Sequence, residues 1–171
     1  MKLNHLQQKR VLKMFNLELK GDWNRAGIYM RNLAVNLRPS FEAQLYEDGE
    51  LVLKEIKEHI DKQDLPWVPL SQKTIELKGG DDTIYIDTGT LYNGMSVRRV
   101  KSSVKGSTIF IGASPWKKHA PSGRKLSDLM IWLEYGTDKI PPRPLIRPTY
   151  EEVQDTLQKN WRDLMKELLK E

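Results

Sequence analysis

Apolar side chains recur at steps of three and four in four stretches of this chain, the spacing that gathers one face of an α-helix. The first runs Trp23, Ala26, Met30, Leu33 and Leu37 behind Asp22, a residue suited to cap a helix N-terminus. Pro39 is expected to interrupt it, and Ser40 to cap a second helix with Phe41, Leu45, Val52, Ile56 and Ile60 on its inner side. Gly49 predicts a weak or bent middle for that helix. A third stripe, Leu126, Leu129, Met130 and Leu133, stops at Gly136. The last, Val153, Leu157, Trp161, Leu164 and Leu168, is the best marked. Thr149 and Glu152 read as a capping box ahead of it, and Lys166 and Lys170 complement the dipole at its end.

Strand patterns fall between the helices. "MFNLEL" (14–19) alternates, "TIYI" (83–86) is a short apolar run, and "SVRRVKSSV" and "STIFIG" flank a tight hairpin turn at Lys105-Gly106. Proline stiffens "DLPWVPLSQKTIELKGG", in which Ser71 can start a helix of one or two turns that ends at Gly79-Gly80. The loop "ASPWKKHAPSGRK" (113–125) follows the hairpin. "KIPPRPLIRP" is expected to be extended, because its four prolines deny it helical hydrogen bonds. The pattern predicts one α+β domain over 1–171, with a flexible N-terminal stretch at 1–13. In it, several helices, including a long C-terminal one, pack on a small, mostly antiparallel sheet.

Composition narrows the class. With 39% hydrophobic and 30% charged residues the chain is neither disordered nor membrane-spanning in character, and it has no cysteine for disulfides or thiolate metal sites. The first residues lack the apolar core of a secretory signal, so synthesis in the cytosol is the expectation. Charge changes the picture more. The net charge is +5, and the segment 88–127 holds no acid while carrying Arg98, Arg99, Lys101, Lys105, Lys117, Lys118, Arg124 and Lys125. Residues 1–13 are acid-free too. Such a face either meets an anionic partner or is simply solvated.

Candidate chemistry is sparse. "TIYIDTGTLYNG" places Asp-Thr-Gly after an apolar run, as aspartic proteases do, but those enzymes need two carboxylates sharing a proton. A single motif behind some eighty largely helical residues reads instead as a strand end. There Asp87 caps the next turn and Gly89 takes a positive φ. His5, His59 and His119 have no metal-ligand spacing and read as solvated side chains. "PPRP" reads as a rigid connector rather than a polyproline ligand, since a helix follows at once. Trp67 and Trp116 lie in loops, as interface anchors, base-stacking platforms or covers for their own core.

Three segments, in order, resemble a known family. "WVPLSQKTIELKG" (67–79) is similar to the Trp-x-Pro-Leu-Ser-x-x-Thr signature of phage virion-morphogenesis and tail-completion proteins, the Mu-like ones included. "YIDTGTLYNGMSV" (85–97) resembles their Asp-Thr-Gly-x-Leu-x-x-Ser-Ile element, with Met95 ahead of Ser96 as a departure. "WLEYGTDKIPPRPLIRP" (132–148) resembles the Glu-Phe-Gly-Thr and Pro-x-Arg-Pro-Phe-Leu-Arg-Pro element of siphophage head-tail joining proteins, with Leu145 where Phe is usual. The likeness covers roughly 65–150. It implies a structural virion protein of the neck or tail, with no catalytic, cofactor or metal site. It further implies a cyclic homo-oligomer, of six- or twelve-fold symmetry, between head-connector and tail-tube proteins, with genomic DNA in the lumen and no membrane. Arg98, Arg99, Lys101, Lys105, Lys117, Lys118, Arg124, Arg143, Arg147 and Trp116 are then the interface or DNA-facing candidates, with "KIPPRPLIRP" and the 113–125 loop as arms for a neighbour. From charge alone, a freestanding basic nucleic-acid-binding module stands beside that reading.

Overall fold

A computed structural model of the protein describes residues 21–103 and 106–168. The expected strand at 14–19, the basic residues of 1–13 and Lys105 lie outside the described residues, as do the side chains of Trp23, Ala26, Met30 and Leu33. The chain divides into two compact units, residues 1–38 and 39–171. Among the described residues its elements are five helices and one antiparallel hairpin, an α+β arrangement. The helices are α1 (Trp23–Lys62), α2 (Gln72–Leu77), α3 (Thr90–Gly94), α4 (Leu126–Tyr135) and α5 (Ile146–Leu168). The strands are β1 (Met95–Ser103) and β2 (Gly106–Ala113). No helix among the described residues is long and apolar enough to cross a membrane.

Asp22 caps α1 as its residue type predicts: its Oδ1 accepts from the Arg25 N–H at 2.9 Å. Pro39, however, does not end the helix. A proline withdraws one N–H and crowds the preceding turn, but no glycine stands beside it to take the positive φ of a helix stop. The boundary between the two units falls at this proline.

In the second unit, Val52, Leu53, Ile56 and Ile60 of α1 form the spine of the core. Against them lie Met95, Val97 and Ala113 of the hairpin, Leu126 and Met130 of α4, and Val153 of α5. Gly49 has a packing reason that helix propensity does not show. It is buried, and a Cβ built there would come within 2.6 Å of Ile109 Cδ1 and 2.9 Å of Val97 Cγ1. The hairpin crosses α1 at this position because nothing projects from it. Gly49→Val is therefore expected to destabilise the fold by about 1–3 kcal/mol through overpacking, although valine is the better helix former. Urea unfolding checks this, and a stabilised variant would show that the hairpin does not press on α1.

The hairpin pairs Met95 with Ala113, Val97 with Ile111, and Arg98 with Phe110. The register shifts between Arg99 and Lys101, leaving Val100 as a bulge. That extra residue turns Lys101 away from α1 and brings Ser102 onto it with Ser107, so that both hydroxyls donate to Glu42 Oε1, at 2.5 and 2.7 Å.

The expected strand at 83–86 does not form. Gln63 and Tyr85 have positive φ, 51° and 68°, which strand geometry excludes. The Gln63 side chain replaces a neighbouring strand. The Ile84 N–H donates to its Oε1 at 2.8 Å, and its Nε2 donates to the Ile84 carbonyl at 3.0 Å. Before this turn, α2 matches expectation. Ser71 Oγ accepts from the Thr74 N–H at 3.3 Å. The N–H groups of Gly79 and Gly80 return to Glu76 and Ile75, closing a Schellman motif. Gly136, at φ 77°, ends α4.

The start of α5 differs from the expected capping box. The helix begins at Ile146, and Thr149 lies within it, fully buried, its hydroxyl donating back to the Leu145 carbonyl at 2.7 Å. Glu134 of α4 supplies the cap. Its carboxylate accepts from the N–H groups of Leu145 (2.7 Å), Ile146 (3.0 Å) and Arg147 (3.2 Å). The next residue, Pro148, has no N–H to satisfy. One carboxylate thus answers the open donors of this helix start, at the end where the dipole favours an anion.

Candidate functional site

The segments 67–79, 85–97 and 132–148 meet around Arg143. This side chain is only 5% exposed. Its Nε donates to the Val68 carbonyl at 2.6 Å and its Nη2 to the Pro69 carbonyl at 3.1 Å. Its own N–H donates to Leu133 at 2.7 Å, and its carbonyl accepts from the Tyr85 hydroxyl at 2.6 Å. Trp67 Nε1 donates to the Pro144 carbonyl at 2.7 Å, and its ring tilts on Tyr85 with centroids 5.2 Å apart. Burial lowers the Arg143 pKa and raises that of Tyr85.

Proline explains why an arginine sits there. Prolines 66, 69, 141, 142 and 144 leave two extended stretches with carbonyls and few N–H groups, so a side chain with several donors ties them together. "KIPPRPLIRP" is accordingly part of the body at Arg143 and Leu145, rather than an arm offered to a neighbour. Glu134 pairs with backbone N–H groups and not with either guanidinium. Arg147 is exposed and makes a local ion pair with Glu151 at 2.9 Å.

Beside this knot lies an apolar cleft of about 200 Å³, walled by Leu70, Leu91, Leu129, Trp132, Leu133 and Ile140. Lys78, Asp87 and His119 stand among its lining residues. Lys78 is held by the Thr83 carbonyl at 2.5 Å and by Asp81 at 3.2 Å. The Asp81 carboxyl is lowered to about 2, chiefly by the Thr83 hydroxyl and N–H. Asp87 is exposed and makes no cap: Gly89, at φ 72°, begins α3 without a side-chain hydrogen bond. Its carboxylate instead lies 3.4 Å from His119 Nε2, and it is the one carboxylate lining the cleft among the described residues. Asp87→Asn is thus expected to change stability by less than about 1 kcal/mol, the scale of a long ion pair at the surface of the fold, one partner of which is largely covered, rather than of a cap. It should also remove no peptide hydrolysis. Acid-pH proteolysis by the purified protein that vanishes in the variant would contradict this.

The acid-free segment is partly neutralised in space. Arg99 reaches Glu42 at 3.5 Å. Arg98 lies over the Phe110 ring at 4.9 Å, with a buried Nε that has no hydrogen-bond partner. Arg124 lies over Trp132 at 5.7 Å. Lys101, Lys117, Lys118 and Lys125 are exposed. The two loop tryptophans separate: Trp67 is core, whereas Trp116 is 81% exposed.

His59 departs from the solvated reading. It is buried, its Nδ1 2.7 Å from Asp64 and its Nε2 3.2 Å from Glu152 of α5, the second contact without an aligned hydrogen bond. Neither Glu152 nor Asp64 adjoins it in sequence, and only the position of His59 on the inner stripe, one residue before Ile60, hinted at burial. Among the described residues no group of three or more His, Cys, Asp or Glu could hold a metal ion. No protein-family model, curated protein or solved structure matches the chain.

Proposed function

We propose that this chain is a structural phage virion protein of the tail-completion and head-tail joining kind, acting as a ring adaptor at the neck through which DNA passes. The observation that carries this reading is the convergence on Arg143. Three segments that each resemble the family, spread over more than eighty residues, form one hydrogen-bonded knot through Trp67, Tyr85 and Arg143. Signature residues that gather into one hydrogen-bonded centre fit a protein whose work is assembly. The partners in this reading are copies of itself, the adjacent head-connector and tail-tube proteins, and DNA held without sequence specificity. Its place is the virion, after synthesis in the host cytoplasm.

Exposed lysines supply the test. Arg98 and Arg99 are engaged within the fold, so reversing them perturbs the monomer. Lys101, Lys117 and Lys118 are exposed. Reversing these three to glutamate is expected to leave the circular dichroism spectrum and melting temperature unchanged while lowering the yield of joined particles at least tenfold in a complementation assay. Full complementation by the triple variant would remove these residues from the joining surface. A freestanding nucleic-acid-binding module is the second reading, favoured by Trp116 standing exposed beside two lysines. Tight, strongly salt-dependent DNA binding by a monomer would favour it.

A further inference from the structure

Two grooves between α1 and α5 share Asp48. The first, about 400 Å³, is apolar and walled by Leu45, Val52, Ile109, Ile146, Leu157 and Trp161. The second, about 410 Å³, is acidic: Glu47, Asp48, Asp163 and Glu167 line it, with Asp163 also reached by Lys166 at 2.9 Å. Asp48 itself is only 5% exposed. Its Oδ1 accepts from Gln44 Nε2 at 3.0 Å and from Asn160 Nδ2 at 2.8 Å. Its Oδ2 is buried without a hydrogen-bond partner. A buried carboxylate oxygen lacking a donor is costly, and here it belongs to the residue common to both grooves.

On the same chain, the loop after β2 presents the complementary set. Trp116 is 81% exposed and lines neither groove, and the exposed Lys117 and Lys118 follow it directly. The loop is held in shape. Lys118 and Lys125 form a β-bridge, the His119 N–H donates to the Arg124 carbonyl at 2.8 Å, and the Gly123 N–H donates to the His119 carbonyl at 2.8 Å. A preorganised aromatic anchor is the kind of residue that dominates interface energetics.

We propose that the Trp116-Lys117-Lys118 loop of one copy docks in the α1–α5 grooves of a second copy. The indole enters the apolar groove, and the two lysine ammonium groups enter the acidic groove among Glu47, Asp163 and Glu167, beside the buried Asp48. The two faces are different surfaces of the chain, so the contact is heterologous. It repeats head to tail and makes a ring where the rotation closes. This rests on the neck-adaptor reading for its purpose, although the contact itself follows from charge and shape.

Head-to-tail contacts have a distinctive test. A loop variant, Trp116→Ala with Lys117→Ala, keeps an intact groove, while a groove variant, Glu47→Lys with Asp163→Lys, keeps an intact loop. All four positions are exposed and the buried Asp48 is left untouched, so both variants are expected to fold, with unchanged circular dichroism. By sedimentation, each alone should remain monomeric where the unaltered protein associates, and self-association should weaken at least tenfold. Mixed in equal amounts, they should form one-to-one dimers and nothing larger. Three results would overturn the proposal: variants that associate like the unaltered protein, a mixture that stays monomeric, or an unaltered protein that is monomeric at every concentration. Loss of DNA binding in the loop variant of such a monomer would assign the loop to nucleic acid instead. The neck reading fails separately. If the mixed dimer forms but particles assemble normally without the protein, the contact stands and the reading falls. If the loop variant joins particles normally and associates fully, the contact falls and the reading stands.

Discussion

Arg143→Ala is expected to destabilise the protein by about 3–5 kcal/mol, the largest loss of any single substitution considered. Two charge-assisted hydrogen bonds disappear, each worth about 1.5–3 kcal/mol. The carbonyls of Val68 and Pro69 lose the guanidinium that served them. Few backbone N–H groups in their own stretch could replace it, because Pro66 and Pro69 supply none. Arg143→Lys should recover only a minor part, since one ammonium on a flexible stem cannot hold two carbonyls with the fixed fork of a guanidinium. Urea unfolding measures the loss, and the packing of Trp67 on Tyr85 should loosen with it, visible in tryptophan fluorescence. A loss below about 1 kcal/mol would mean that the two proline stretches hold together without this side chain.

Glu134→Gln is expected to cost about 2–3 kcal/mol. The carboxylate serves three N–H groups at once and places a negative charge at the start of a helix whose dipole favours it. Glutamine keeps one acceptor, turns a donor toward other donors and loses the charge. Hydrogen exchange at Leu145, Ile146 and Arg147 should accelerate more than exchange in the middle of α5. If those amides stayed protected, something other than Glu134 would be capping the helix. Glu134→Asp, with the same charge on a shorter stem, should fall between the two.

These two residues also show where the sequence stops being legible. Elements whose cause is local could be read directly: α2, with its Ser71 cap and Gly79-Gly80 stop; α4, with Gly136; and the hairpin, although Gly106, expected in its turn, pairs with Ser103 instead. Elements whose cause lies across the chain could not. Thr149 and Glu152 have the right types and spacing for a capping box, but Glu134 arrives from another helix and starts this one four residues earlier, at Ile146. "TIYI" has strand composition, but a glutamine twenty-one residues away satisfies Ile84, and Tyr85 turns to a positive φ to send its hydroxyl to Arg143. Gly49 looked like a flaw in a helix because the hairpin that needs its missing side chain is about fifty residues on.

The candidate site was legible to a similar depth. Arg143 stood out in the sequence as an interface or DNA-facing candidate within a proline-stiffened stretch, whereas the fold buries it. Its partners, Val68 and Pro69, belong to the other proline-rich stretch, which no spacing rule connects to it. The acid-free segment was visible as a charge pattern, whereas the engagement of Arg99 by Glu42 and of Arg98 by Phe110 depends on the hairpin lying along α1. Asp48 gave no signal at all. An aspartate inside a helix reads as a solvated residue until α5 and the hairpin close around it.

Electron microscopy of particles made without this protein tests the proposed joining role at the neck. DNA-filled heads and complete tails are expected to lie free beside one another, with joined particles restored when the unaltered protein is supplied in trans. Complete, joined and infectious particles in its absence would contradict that role.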